Sequence, residues 1–439
     1  MSGLYIKSSP ATSIHGVVSI PGDKSISHRA VILGAISQGI TRVDNFLASD
    51  DCLATINAFQ SMGVVIERLE NKQVVIHGVG KYGLKKPDAV IDCGNSGTTM
   101  RLLAGLLAAQ SFDSELTGDA SLLKRPMVRI SEPLESMGAH IKTREGKAPI
   151  IIKGNRALKA IHFTMPIASA QVKSCLLLAG LYAQGKTVIT EFQPSRNHTE
   201  LMLKNFGFPI TQAGHSIEIL SSGEGQAMPL SIPGDLSSAA FFIVAASLIP
   251  GSDILITQVG LNPTRTGMLK ILSLMGADIA VLNQSNTGEE PVADLRVRYA
   301  PLQGITIPVD LVSLAIDEFP ILFVAAACAK GKTFLSGATE LRYKESDRIS
   351  AMVKGLNQLG IDAQGLDDSV NIQGGLLQGG QVDSFGDHRI AMSFAIAGAV
   401  ASNPVVIKNC ASIMTSFPDF IAVANKLHLH IEEMIENAV

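Results

Sequence analysis

The stretch GDHRIAMSFAIAGAV, residues 386–400, opens on a polar cluster, Asp387-His388-Arg389, and then runs apolar almost without interruption. Its alanine and methionine content favours helix over strand. Apolar side chains fall on every face rather than along one stripe, so the helix must be buried all round. Its charged opening then lies at the helix N terminus. There the first N–H groups lack carbonyl partners and the helix dipole favours negative charge.

The same arrangement recurs five times upstream. Polar clusters at Lys24-Ser25, Asn95-Ser96-Gly97, Ser169-Ala170-Gln171, Asp235-Leu236-Ser237-Ser238 and Asp317-Glu318 each precede an apolar run. Counted from Ser25 to Arg389, the steps are 72, 73, 68, 81 and 70 residues, against 439 residues divided by six, about 73. Gly39, Gly185, Gly251 and Gly331 follow four of the runs and suit left-handed caps. A second marker, a helix end, a glycine and then a strand, recurs at Gly63, Gly138, Gly207, Gly276 and Gly360. These patterns predict an α/β (α+β) fold built from about six strand–helix units. The pentapeptide Ser-Ile-Pro-Gly-Asp occurs at 19–23 and again at 231–235, 212 residues later. It reads as two matching crossover strands between two similar halves, and as a pair of hinges at 19–23 and 231–235.

Composition narrows the function. Hydrophobic residues make up 46% of the chain and charged residues 17%, enough to build large cores. A net charge of −3 offers no global field for nucleic acid. Apolar runs of about a dozen residues fall short of the roughly 20 a membrane helix needs. Five dispersed cysteines argue against a disulfide framework or zinc knuckle and for the cytoplasm. The N-terminal residues lack the apolar stretch of a signal peptide. The Gly180–Thr187 match to a phosphate loop has its context inverted, because it closes a helix and opens a strand. Cations at or near the first turn, Lys24, Arg29, Arg101 and Arg389, are unfavourable there unless an anion or carboxylate answers them. Together with Arg125, Arg196 and Arg348 in charged loops, they point to an anionic ligand held by forked guanidinium contacts.

Six motifs in order carry a resemblance over essentially the whole chain: Pro21-Gly-Asp-Lys-Ser-Ile-Ser-His-Arg29, Gly94-Asn-Ser-Gly-Thr-Thr-Met-Arg101, Leu123-Lys-Arg-Pro-Met127, Ala168-Ser-Ala-Gln171, Lys344-Glu-Ser-Asp-Arg348 and Gly386-Asp-His-Arg-Ile-Ala-Met392. The sequence resembles the enolpyruvyl transferase family, in particular the branch acting on shikimate 3-phosphate. The resemblance implies two similar domains, 22–232 and 1–21 plus 233–439, each of three βαβαββ-like units around buried parallel helices, an inside-out α/β barrel that closes on its substrate. It implies transfer of the enolpyruvyl group of phosphoenolpyruvate to the 5-hydroxyl of shikimate 3-phosphate, by addition and then loss of phosphate. It implies a monomer that needs no metal or organic cofactor.

Carried onto this sequence, the resemblance implies that Lys24, Ser25, Arg29, Ser169, Ala170, Gln171, Arg196, Asp317 and Lys344 bind shikimate 3-phosphate. Lys24, Asn95, Gly97, Arg125, Gln171, Arg348 and Arg389 would bind phosphoenolpyruvate. Asp317 would be the base for the hydroxyl, Glu345 the acid at the methylene, and Lys24 a catalytic cation. Two departures stand out: Ala170 occupies a position where many members carry serine, and Thr415 one where many carry lysine. The branch that uses UDP-N-acetylglucosamine fits less well, since Ser25 replaces its asparagine and residues 111–127 contain no cysteine.

Overall fold

The computed structural model describes residues 4–154 and 157–435. Among these the α-helices are α1 Lys24–Ile36, α2 Asp50–Ser61, α3 Gly97–Leu107, α4 Val128–Ser136, α5 Ala170–Gly180, α6 His198–Asn205, α7 Leu236–Leu248, α8 Gly267–Leu274, α9 Phe319–Cys328, α10 Arg348–Gln358, α11 His388–Val400 and α12 Phe420–Lys426. The odd-numbered helices are the six apolar runs. Every residue of α9 from Phe319 to Ala327, and of α11 from His388 to Ala399, is buried. The even-numbered helices are one-sided covers, as in α4, which buries only Ile130, Ser131, Pro133 and Leu134. Gly105 sets how closely two buried helices approach: a Cβ there would lie 2.1 Å from the Cys175 carbonyl oxygen on α5.

The chain divides into two compact units. One comprises Gly22–Ile232 with Thr287–Glu290, and the other holds the chain up to Pro21, Pro233–Asn286 and the chain from Pro291 onward. The short Thr287–Glu290 insertion into the first unit has no sequence signature. It belongs there because buried His198 Nδ1 lies 2.5 Å from Glu290 Oε1 and Lys204 Nζ 3.2 Å from Glu289 Oε1.

The sheets repeat one plan. In the first unit, Ile91–Asp92 runs parallel to Ser114–Thr117, which is antiparallel to Lys147–Lys153, itself antiparallel to His140–Arg144. The sheet of His162–Thr164, Lys186–Thr190, Ser216–Leu220 and Ile210–Ala213 has the same order. The third sheet, Ser37–Asp44, Val74–Val79 and Val65–Arg68, takes its parallel edge from Gly225–Gln226 and Leu230–Ser231. In the second unit, His15–Ser19 pairs in parallel with Asp253–Gly260. The strands that lead into α1 and α7 are thus exchanged between matching sheets. The Leu4–Ser9 strand lies between Val405–Lys408 and His430–Ile435, antiparallel to both. Mixed sheets alternating with helices make this an α/β fold, and each unit has its own apolar core.

Each even-numbered helix ends the same way. The second residue past its end has positive φ: Gly63 at 86°, Gly138 at 91°, Gly207 at 79°, Gly276 at 94°, Gly360 at 85°, and His428 at 64°. The next N–H reaches back to the last helical turn, as Val64 to Phe59, Ile361 to Leu356 and Leu429 to Ala424. This is the Schellman stop, which needs a left-handed residue and therefore favours glycine. The sixth stop escapes a search for glycine because an exposed histidine occupies it.

His428→Gly should therefore stabilise the chain by about 0.5–1 kcal/mol, and Gly138→Ala should cost about 1 kcal/mol by backbone strain alone. No atom lies within 4 Å of a Cβ at Gly138, so steric crowding plays no part there. Denaturant unfolding checks both.

Candidate active site

In the unit containing Gly22–Ile232, the first turns of α1, α3 and α5 are tied together by side chains. Asp23 caps α1 by accepting from Ile26 N at 2.9 Å, Ser96 caps α3 by accepting from Thr99 N at 3.0 Å, and Ser169 caps α5 by accepting from Val172 N at 3.4 Å. Gln171 on α5 donates to Thr98 Oγ1 on α3 at 3.0 Å and accepts from Arg101. Arg29 on α1 donates through Nη2 to Ser174 Oγ on α5 at 2.7 Å, through Nε to Thr199 Oγ1 on α6 at 2.6 Å and through Nη1 to the Ser25 carbonyl at 2.9 Å. Lys24 Nζ lies 3.0 Å from Asp51 Oδ2 on α2.

Beside them stands a second cation group. Arg125 Nη2 donates to Asn95 Oδ1 at 2.8 Å, and the Asn95 amide donates to Asp119 at 2.7 Å. A Cβ on Gly97 would lie 3.1 Å from Arg125 Nη1 and 3.2 Å from Arg101 Nη1, so the bare glycine lets both guanidinium groups sit at the start of α3. The expected residues of this unit, Lys24, Ser25, Arg29, Asn95, Gly97, Arg125, Ser169, Ala170 and Gln171, all lie at these three N termini or in the loop facing α3. Arg196 is half-buried in the loop between the Lys186–Thr190 strand and α6.

In the other unit, Arg348, 1% exposed, is the centre of a carboxylate ring. Its Nε lies 2.8 Å from Asp387 Oδ2, its Nη2 2.7 Å from Glu345 Oε2, and its Nη1 3.4 Å from Asp317 Oδ1. Lys344 Nζ lies 3.0 Å from the same Asp317 oxygen. Burial pulls the guanidinium pKa down, but the charges of Asp387, Glu345 and Asp317 outweigh it and hold Arg348 above its ordinary value. Arg389 Nη1 lies 3.7 Å from Glu318 Oε1. Sequence reading missed Asp387 and Glu318 as partners, although both sit inside the polar clusters.

The α7 N terminus corrects one expectation. A buried cation fills it: Arg265 Nη2 lies 3.0 Å from Asp235 Oδ1, bonds Ser237 Oγ and approaches Glu318 at 3.9 Å. Arg265 lies outside every repeated cluster, so spacing could not reveal it. That terminus is internally neutralised by its own carboxylates and cation. Thr415 spends its hydroxyl on the Ser412 carbonyl at 2.7 Å and supplies no charge. The Gly180–Thr187 segment closes α5 and opens the Lys186–Thr190 strand, which excludes a phosphate-loop geometry. Among the described residues no group of three His, Cys, Asp or Glu could hold a metal ion, and no helix is long and apolar enough to cross a membrane.

A sequence model of the family described as EPSP synthase (3-phosphoshikimate 1-carboxyvinyltransferase) matches residues 9–423. The chain belongs to the EPSP synthase family. It is 65% identical to the 3-phosphoshikimate 1-carboxyvinyltransferase of Legionella pneumophila strain Corby, over 97% of this chain and 98% of that protein. It is 57% identical to the enzyme of the same name from Methylococcus capsulatus, over 96% of this chain and 97% of that one. The solved EPSP synthase of Acinetobacter baumannii superposes with a TM-score of 0.88 at 48% identity, covering 98% of this chain and all of that one.

One buried histidine beside these helix starts resists protonation. His28 on α1 is fully buried, with Nδ1 2.7 Å from Thr55 Oγ1, which in turn bonds Thr99 Oγ1 at 2.7 Å. Burial, then the charges of Lys24 and Arg29, lower its pKa well below 6.5, with Asp23 opposing. The unfolded chain thus binds a proton that the folded chain refuses. Stability is unaffected above about pH 6.5 and falls as pH drops below it, by up to about 1.4 kcal/mol per pH unit. His28→Gln should remove that part of the acid slope, checked by unfolding both proteins at pH 7, 6 and 5.

Proposed function

We propose that this chain transfers the enolpyruvyl group of phosphoenolpyruvate to the 5-hydroxyl of shikimate 3-phosphate and releases phosphate. The observation that carries the reading is the carboxylate pair Asp317 and Glu345 sharing the buried cation Arg348, in a chain of the EPSP synthase family. The reaction needs a base at a hydroxyl and an acid at a methylene. Two carboxylates joined through one guanidinium can hold different protonation states while the cation stays charged.

In this reading Asp317 takes the proton of the 5-hydroxyl as its oxygen attacks C2 of the enol. Glu345 delivers a proton to the methylene, which becomes a methyl group. The tetrahedral adduct then expels phosphate, and Glu345 removes a methyl proton to restore the double bond. Lys24 bears on both substrates. Ser25, Arg29, Ser169, Gln171, Arg196 and Lys344 hold shikimate 3-phosphate, with Ala170 offering only backbone. Asn95, Gly97, Arg125, Gln171, Arg348 and Arg389 hold phosphoenolpyruvate, and its charge shift is met by fixed cations.

The sixfold plan supports the finer reading of an inside-out α/β barrel in each half, 22–232 and 1–21 plus 233–439, with hinges at 19–23 and 231–235. Supporting the hinges, each Ser-Ile-Pro-Gly-Asp copy ends on the N-cap of a buried helix, Asp23 or Asp235.

A phosphate-release assay should show turnover only when both substrates are present; release from phosphoenolpyruvate alone at the same rate would refute the transfer. Asp317→Asn and Glu345→Gln should each lower kcat at least about 100-fold. Arg125→Ala should raise the KM for phosphoenolpyruvate roughly 10- to 100-fold with a smaller change for shikimate 3-phosphate.

A further inference from the structure

Lys173, in the first turn of α5 two residues past Gln171, is 1% exposed and carries a full ion triad. Its Nζ lies 2.7 Å from Glu191 Oε2, 2.7 Å from Glu200 Oε1 and 3.3 Å from the Ser195 carbonyl oxygen. Ser195 in turn donates its hydroxyl to Glu191. Glu191, Ser195 and Glu200 are themselves buried. None of these contacts is needed for a reacting group, and neither Lys173 nor its partners appear among the residues assigned above.

The triad is a poor stabiliser of the core. Each buried ion loses several kcal/mol of hydration, and an apolar side chain of similar volume often serves stability as well or better. A cation in the first turn also opposes the helix dipole. What the triad does is geometric. It clamps one stretch of chain to α5 at positions 191, 195 and 200, and that stretch contains Arg196.

We infer that Lys173 is a positioning residue that fixes the 191–200 segment so that Arg196 meets the phosphate of shikimate 3-phosphate. This rests on the reading of Arg196 as a phosphate ligand. The one-residue spacing from Ser195 to Arg196 makes the clamp short, so the freedom of the Arg196 backbone is set largely by the Lys173 contacts. Loss of the clamp acts on one substrate and leaves the cation group around Arg125 untouched.

The test uses Lys173→Met, Arg196→Ala and the double variant in the full chain, with Ser195→Ala as a milder lesion should unpaired Glu191 and Glu200 prevent Lys173→Met from folding. Amide hydrogen exchange across residues 191–200 reads the clamp directly, whether or not Arg196 is a ligand. It should speed at least about tenfold in Lys173→Met, or measurably in Ser195→Ala, relative to α5 itself. Steady-state kinetics should show the KM for shikimate 3-phosphate raised roughly tenfold, with the KM for phosphoenolpyruvate within about twofold of the parent. In the Arg196→Ala background Lys173→Met should add little, because the two act through one contact.

Unchanged exchange in the segment overturns the clamp. Equal loss of both KM values, or full additivity with Arg196→Ala, overturns its coupling to the phosphate. If Arg196→Ala itself leaves the KM for shikimate 3-phosphate unchanged, the ligand reading fails and the proposal with it, while the exchange result still reports separately on the clamp.

Discussion

A helix apolar on every face can meet polar groups only at its ends. That constraint organises this molecule. Helices α1, α3, α5, α7, α9 and α11 bury their lengths, so the polar residues of each repeat gather at their first turns, beside unpaired N–H groups. Within the first unit, three such turns are laced together through Gln171, Thr98, Arg29 and Ser174. Within the second, Ser237 on α7 donates to Glu318 at the start of α9, which in turn faces Arg389 on α11. A chain of net charge −3 can thus present concentrated positive potential locally.

The two units spend their charges differently. In the first, guanidinium groups lean on neutral acceptors, as Arg125 does on Asn95 and Arg29 on Thr199 and Ser174. In the second, Arg348 is enclosed by Asp317, Glu345 and Asp387. Removing the cation from such a ring would strand buried Asp387 and leave half-buried Asp317 and Glu345 without it, at a cost of about 3–5 kcal/mol. In the proposed reaction the first arrangement would meet the anions and the second would carry the proton transfers.

Much of this was legible because it is periodic. Sixfold spacing located the buried helices, and glycine marked five of the six Schellman stops. The sixth, His428, was hidden because the backbone needs a left-handed residue and not glycine as such. The crossovers were expected, but which strands pair with them was hidden for another reason. His15–Ser19 pairs with Asp253–Gly260, and Leu4–Ser9 with Val405–Lys408, and such pairing depends on residues hundreds of positions apart with no local pattern. Motifs named residues that gather at the helix starts but not what holds them. Asp51, Asp387 and Glu318 answer cations from other elements, and Arg265 and Lys173 are single charges in otherwise ordinary sequence. Their roles follow from three-dimensional burial, which no linear spacing encodes.

The claim that converging helix N termini hold the anionic substrates is tested most directly by a structure of the protein with shikimate 3-phosphate bound and phosphoenolpyruvate, or an unreactive analogue of it, beside it. The account predicts the shikimate phosphate oxygens within about 2.6–3.2 Å of Ser169 and Arg196, and the second phosphate against Asn95, the Gly97 backbone and Arg125. Both phosphates seated away from the first turns of α3 and α5, with those N–H groups turned to water alone, would contradict it.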